Sequence, residues 1–579
     1  MPGFFGFFGI HQNSNLKNTS NKINDKSFSG KDYYVESHTI SKFQKDKVFY
    51  NDEDFLVLTE GVILNSKDLI NKFKQNSLIE TILFMYQTIG NDFFKDFRGS
   101  FSGVFFDKKN NRKIIFTNHI GDKQIFYCQG EDEIIFGSEI NYLVKYFKDN
   151  QLIYTFNKKA AYYLLTFGFM LEDNTLFNEY KKLIPGNYII IENGKFNIVE
   201  YYKLDNSPKY EETENEIIEN IDRLFRQAIK RAFEKDIEYG YKHLVALSGG
   251  LDSRMTTWVA HDMGYGKNIV NYTFSQSDYI DEVIPKQIAR DLKHQWIFKA
   301  LDNGEFLKDI DDTVKICAGN ALYYGLAHGK SCLELLNISR FGIIHSGQLG
   351  DVILGTFYSS KQKNKMYTLM DGAYSKVLST KLKQKDIDCC YENEEIYKFY
   401  NRGFNGANQG LTVAQENFET YSPFYDLDFL EYCLSIPVEF RFNHYIYFKW
   451  ILSKYPQAGN YIWEKINGKI TDWKINIFNK QILIKRLPQK TFNYVLKKLK
   501  LKHSLNSKNH MNPLDYWYNN NKDLKKFMDD YFIDNIDKLN FDIELKNDSI
   551  YLYKEGNTIE KNQVLTLLFA LKLYFNDKL

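Results

Sequence analysis

With 579 residues and a formal net charge of +2, the chain is long enough for two or more cores and carries no charge excess that would point to nucleic acid. Hydrophobic residues at 44% and charged residues at 26% are ordinary for a soluble globular protein. The longest apolar run, near Ala160 to Leu171, is too short to span a bilayer, the Phe-rich start lacks a basic flank, and the cysteines show no CxxC spacing, so a reduced, cytoplasmic protein is expected.

In chain order, residues 1–9 read as an aromatic strand with glycine kinks. Alternating segments follow after Asp96-Phe97-Arg98-Gly99, around the turn at Gly121-Asp122-Lys123, and at Phe136-Gly137-Ser138. The polar stretch from Asn206 to Thr213 lacks apolar periodicity and marks a boundary between units at 1–205 and 206–579. Beyond it, Ile217, Ile218, Ile221, Leu224, Phe225, Ala228, Ile229 and Ala232 form one helical stripe. Leu244 to Leu247 read as a buried strand, Ser248-Gly249-Gly250 as a sharp turn, and Met255, Trp258 and Val259 as a helix closing near Gly264. Strands at 269–274, 295–298 and 341–345, with a helix at 280–292 after the first, predict a doubly wound parallel sheet whose ligands bind at the carboxyl ends of its strands. The chain closes on a helix at 563–575.

A strand, a small-residue loop and a helix start together aim backbone NH groups at one point, which suits a polyphosphate. Asp252 lies where it can hold magnesium, and Asp281 or Glu282 stands at a neighbouring strand end, either as a nucleotide contact or as a solvated helix-start acid. Between Asp472 and Asp515 no acid occurs while lysines accumulate over 480–502. That stretch reads as a solvated basic helix face, the alternative being a dock for an anionic partner or a membrane surface.

The string Leu247-Ser248-Gly249-Gly250-Leu251-Asp252-Ser253, followed by Ser346-Gly347-Gln348-Leu349-Gly350-Asp351, resembles the pyrophosphate-binding (PP-loop) segments of the asparagine synthetase family. The resemblance implies an α/β architecture with an N-terminal glutaminase-like, Ntn-type β-sandwich and a C-terminal ATP pyrophosphatase domain. It implies that ATP is split to AMP and pyrophosphate, that a small-molecule or peptide carboxylate becomes an acyl-adenylate, and that an amine then attacks. On this reading Leu247, Ser248, Gly249, Gly250, Asp252, Ser253, Ser346 and Gly347 bind ATP, and Asp252 and Asp351 bind Mg2+. Lys449, in Tyr447-Phe448-Lys449-Trp450, matches a lysine on adenylate and pyrophosphate. Glu419, in Glu419-Thr420-Tyr421-Ser422-Pro423-Phe424, is the remaining general base.

Departures from the family's pattern are equally informative. Pro2 stands where the glutaminase has its nucleophilic cysteine, and Glu60 replaces the oxyanion-hole asparagine. Leu78 aligns with an acid that holds the glutamine amine. Gln348 replaces the Glu of asparagine synthetases and the Tyr of β-lactam-forming relatives, and cannot accept a proton as a base. Tyr421 replaces the usual arginine. The expectation is a carbon–nitrogen ligase that works without glutamine hydrolysis, as β-lactam synthetase and lasso peptide cyclase do. An ammonia-fed asparagine synthetase and a nucleotide-binding pseudoenzyme are the alternatives.

Overall fold

The glycine-spaced phenylalanines at the start set up a sandwich. In the computed structural model, which describes residues 2–9, 25–131, 133–209, 211–355, 357–362, 365–472, 474–477, 480–483 and 507–575, strand Gly3–Gly9 lies between Tyr33–His38 and Glu133–Gly137 in a six-stranded antiparallel sheet. A second six-stranded antiparallel sheet centres on Phe55–Ile63, Gly99–Asp107 and Arg112–Thr117. Side chains alternate along a strand, so Phe4 and Phe8 meet Leu58, Val104, Phe106 and Ile115 between the sheets. Phe5 and Phe7 point the other way, into a helical layer.

Helices Ser66–Phe73 and Leu78–Ile89 cover the outside of the second sheet. Leu78 is buried there among apolar side chains rather than at a glutamine site. The outside of the first sheet is covered by Ile140–Asp149 and Lys158–Phe167 and by helices from the far end of the chain. The last of these, Thr558–Tyr574, starts earlier than its apolar run because Asn557 and Glu560 form a capping box. Tyr154 Oη donates to the Tyr574 carbonyl at 2.7 Å, and Tyr574 Oη donates to Asn141 Oδ1 at 2.8 Å.

The C-terminal part holds a five-stranded parallel sheet in the order Gln295–Ala300, Ile269–Ser275, Lys242–Ala246, Phe341–His345 and Glu419–Tyr421. Helix Glu214–Glu238 starts at a Thr213–Glu216 capping box and buries the stripe read from the sequence. Helix Asp252–Ala260 runs on through a wider turn and leaves at Gly264, whose φ of 95° suits a residue without Cβ. Strand order reverses at Lys242–Ala246, which puts a topological switch point at its carboxyl end.

The stretch before Glu214 is tied down. Asn206 is buried and donates through Nδ2 to Tyr358 Oη at 2.9 Å and Glu395 Oε2 at 2.7 Å. Within the basic stretch, Lys474–Ile477 and Lys480–Leu483 pair as an antiparallel hairpin, so the expected helical face does not begin at Lys480. Residues 484–502, which carry the rest of that expectation, lie outside the described residues. Among the described residues no helix is long and apolar enough to cross a membrane.

Candidate nucleotide site

At the switch point the chain turns through 247–251 into helix Asp252–Ala260, and the loop's own hydroxyls close the turn. The Ser248 NH donates to Ser253 Oγ at 2.9 Å, the two serine hydroxyls are 3.0 Å apart, and the Gly250 NH donates to Ser248 Oγ at 3.2 Å. The Gly249 NH donates to Asp281 Oδ1 at 2.6 Å. Backbone donors expected to be free are thus held by acceptors, because a buried NH costs free energy until it is paired. Burial pushes the Asp281 carboxyl up to about 6, against the hydrogen bond from Gly249. Asp281 therefore belongs to the loop, as one of the two acids expected at this strand end.

Behind the loop lies Arg254, fully buried, which the sequence reading passed over. Its guanidinium donates to the carbonyls of Gly249 at 3.0 Å, Ile462 at 2.7 Å and Ala458 at 3.1 Å, fastening 458–462 to the loop. In front lies Gly347, where an added Cβ would sit 2.3 Å from the Ser253 nitrogen. Gly347→Ala is accordingly expected to push the two loops apart and cost about 1–3 kcal/mol, read as a lowered denaturation midpoint. An unchanged midpoint would mean that the loops part freely.

Asp252 and Asp351 converge from the starts of their helices, and a Cβ on Gly350 would come within 2.8 Å of Asp252 Cγ. Burial, and then the Asp351 charge, hold the Asp252 carboxyl well above the usual carboxylate range, although Tyr447 Oη donates to its Oδ1 at 2.9 Å. Burial would raise Asp351 as well, but His444 and Lys465 outweigh it and hold Asp351 below the usual range. His444 Nε2 lies 3.9 Å and Lys465 Nζ 3.7 Å from Asp351 Oδ2.

Lys449 does not join this group. Its side chain is 46% exposed and pairs with Glu214 at 3.1 Å. Lys449 and Tyr447 share helix Tyr445–Lys454, and residues two apart on a helix point about 200° apart. With Tyr447 turned to Asp252, Lys449 must face solvent, and the cation at the carboxylates is Lys465. The buried set Ile446, Tyr447, Trp450 and Ile451 carried that signal in the sequence.

A cavity of about 530 Å³ opens on Ser248, Gly250, Asp252, Ser253, Ser346, Gly347 and Gln348. The structure brings together Leu247, Ser248, Gly250, Asp252, Ser253, Ser346, Gly347 and Gln348 along its wall, with Gly249 directly behind. Gln348 Nε2 donates to the Ala407 carbonyl at 2.7 Å, which fixes the side-chain amide.

Glu419 lies elsewhere. It pairs with Ile343, two residues short of the end of the neighbouring strand, so its carboxylate enters the flank of the sheet rather than its carboxyl end. There it is fully buried between Lys47 at 2.8 Å and Lys123 at 2.7 Å, both from the sandwich. Burial would raise Glu419, but Lys123 and Lys47 prevail and hold it below the usual range. A carboxylate held ionised by two lysines is a weak base, which corrects the expectation that it deprotonates an amine. Lys47 also meets Glu60 at 3.2 Å. Pro2, Glu60 and Lys123 border a hollow of about 20 Å³, room for about one water. Tyr421 is buried and donates to Asp426, which binds Arg231 at 2.7 Å.

Residues 1–202 match a family model described as a glutamine amidotransferase domain. Asparagine synthetase [glutamine-hydrolyzing] 1 of Bacillus subtilis is 22% identical over 362 residues, covering 57% of this chain and 56% of that protein. Asparagine synthetase [glutamine-hydrolyzing] 2 of the same organism is 26% identical over 326 residues, covering 51% and 42%. The chain thus spans about half the length of the curated relatives it matches. An Ntn-type amidotransferase sandwich joined to a parallel sheet, with the Ser-Gly-Gly-Leu-Asp-Ser loop at its switch point, agrees with those matches, and the chain is similar to asparagine synthetases in both parts.

Proposed function

We propose that the chain is an ATP-dependent ligase that adenylates a carboxylate and passes the acyl group to an amine without hydrolysing glutamine. The observation that carries this reading is the 247–253 loop with Asp252 at the wall of one cavity and the Asp351–Lys465 pair next to Asp252, behind that wall. In the proposed reaction a carboxylate oxygen of the acid bonds to the α-phosphorus of ATP while the bond from that phosphorus to the bridging oxygen breaks. The electron pair leaves with pyrophosphate. The amine nitrogen then bonds to the acyl carbon, AMP departs with its oxygen, and the amine gives up a proton to solvent.

Two carboxylates suit a hard cation, and the unfavourable environment of Asp252 beside Asp351 is one that a cation relieves. Asp252 and Asp351 would hold magnesium, which when bound neutralises phosphate charge. Lys465 supplies a second positive charge next to Asp351, and the Gln348 amide orients what lies beside it. We place the boundary between the two functional units at 205/206.

The glutamine site supports the amine half of the reading. Glu60 stands where a developing oxyanion would need a donor, Lys47 neutralises it, and the hollow beside it has no room for glutamine. The test is ATP–pyrophosphate exchange driven by added carboxylic acids, run alongside an assay for glutamate release from glutamine. Acid-dependent exchange without glutamate release is expected. Glutamate release at a rate matching amide formation would overturn the glutamine-independent part.

A further inference from the structure

Building on the adenylation reading, we propose that the acid is a monocarboxylate with an uncharged, largely apolar body, seated in the lobe of the cavity beside Gln348. The lining of this one cavity falls on two sides of Lys242–Ala246, and each side is called a lobe. Strand Ile269–Ser275 lies on one side of Lys242–Ala246, and Phe341–His345, which leads to Gln348, lies on the other. The first lobe is walled by Tyr272, Phe274 and His328, with the Phe274 and His328 rings 4.8 Å apart.

The second lobe is continuous through close contacts. Gln348 bonds to Ala407 at 2.7 Å. A Cβ on the adjoining Gly406 would come within 2.8 Å of the Phe169 ring, and one on Gly168 within 2.5 Å of Leu322 and 3.0 Å of Tyr374. Phe169 and Leu322 are buried, and Tyr374, 49% exposed, stands at the rim.

Charge decides what this lobe accepts. Among the described residues that line the cavity there is no lysine or arginine. Its ionisable side chains of acidic type are Asp252 and Asp281, both next to the loop. Burial brings His328 down to about 4, so its ring is neutral at neutral pH. Lys465 and Lys449 are committed to Asp351 and Glu214. A second carboxylate on the substrate would be desolvated with no lysine or arginine among the described lining residues to meet it, Arg402 standing outside the lining over the Tyr374 ring at 5.8 Å, and with two resident acids nearby, which is unfavourable at short range. An apolar body gains from burial against Phe169 and Leu322 instead, and the Gln348 amide meets one neutral polar group.

The experiment is ATP–pyrophosphate exchange by the full chain with aliphatic and aryl monocarboxylates of graded size, compared with aspartate and glutamate. The expected result is a kcat/KM for the best monocarboxylate at least tenfold above that for either dicarboxylate. Aspartate or glutamate equal to or better than the monocarboxylates overturns the lobe assignment while leaving adenylation standing. ATP binding by calorimetry with no exchange for any acid overturns adenylation itself, and this inference with it. Tyr374→Ala, at a half-exposed position, is expected to raise KM for the acid at least threefold with KM for ATP unchanged. A KM for ATP that moves instead, or a KM for the acid that does not move, overturns the placing of the acyl group in this lobe.

Discussion

Replacing Asp252 with alanine is expected to lower acid-dependent ATP–pyrophosphate exchange by about 10²–10³-fold, the usual loss when one preorganised electrostatic partner of a reacting group is removed. The expectation rests on position. Asp252 starts the helix after the Ser-Gly-Gly turn, receives the Tyr447 hydroxyl at 2.9 Å, and stands near Asp351 at the cavity wall. Stability should move the other way. A desolvated carboxylate beside a like charge is a cost in the free protein, so Asp252→Asn is expected to leave the thermal midpoint unchanged or higher. Exchange that survives Asp252→Ala would remove the loop from the reaction. A collapse in melting temperature with exchange per folded molecule intact would mean that Asp252 is a framework residue.

The second large effect concerns stability. Glu419→Gln is expected to cost about 3–5 kcal/mol, because it leaves Lys47 and Lys123 in a buried site with one partner fewer. Denaturant unfolding measures it, and a loss below about 1 kcal/mol would mean that water reaches the pair.

The pH dependence has a definite sign. Glu419 titrates lower in the folded chain than in the unfolded chain, so the unfolded state binds more protons between the two values. Its contribution is fully present above the unfolded value of about 4.3 and disappears as pH falls through the lower folded value. Stability measured from pH 6 down to acid should therefore fall less steeply in Glu419→Gln than in the parent. Parallel curves would show that Glu419 is not held ionised.

Lys47 and Lys123 help to fasten the sandwich to the C-terminal part through Glu419. The same segment supplies Asp46, which receives Lys235 at 3.1 Å, and Lys42, which donates to the Phe341 carbonyl at 2.5 Å. Three neighbouring charged residues thus reach across to the C-terminal part. Isolated in the sequence, Lys42, Asp46 and Lys47 look like surface residues, and nothing local to them predicts partners hundreds of positions away.

Local pattern was enough where one element carries its own signal. The Phe-Phe-Gly repeat marked a sandwich strand, the Ile217 to Ala232 stripe a buried helix, and Ser248-Gly249-Gly250-Leu251-Asp252 a turn from a buried strand into a helix. Those features depend on alternation, helical period and backbone freedom, which are properties of neighbouring residues. The sequence also supplied Asp351 and Gly347 by resemblance, and the structure sets Gly347 against the Ser253 nitrogen as close approach requires.

What the sequence could not decide was direction and partnership. Lys449 was read from its motif, but helical rotation turns Tyr447 to the site and Lys449 to Glu214. Glu419 kept its motif position, yet strand register places it on the sheet's flank between two lysines. Arg254, Lys465 and the C-terminal helices against the sandwich were equally out of reach. A side chain's direction follows from the period of its own element, whereas its partner is chosen by sheet order and packing between segments far apart in the chain. The sequence therefore determined the loop and the class of fold, and the tertiary structure decided which charges stand at the loop and which hold the two halves together.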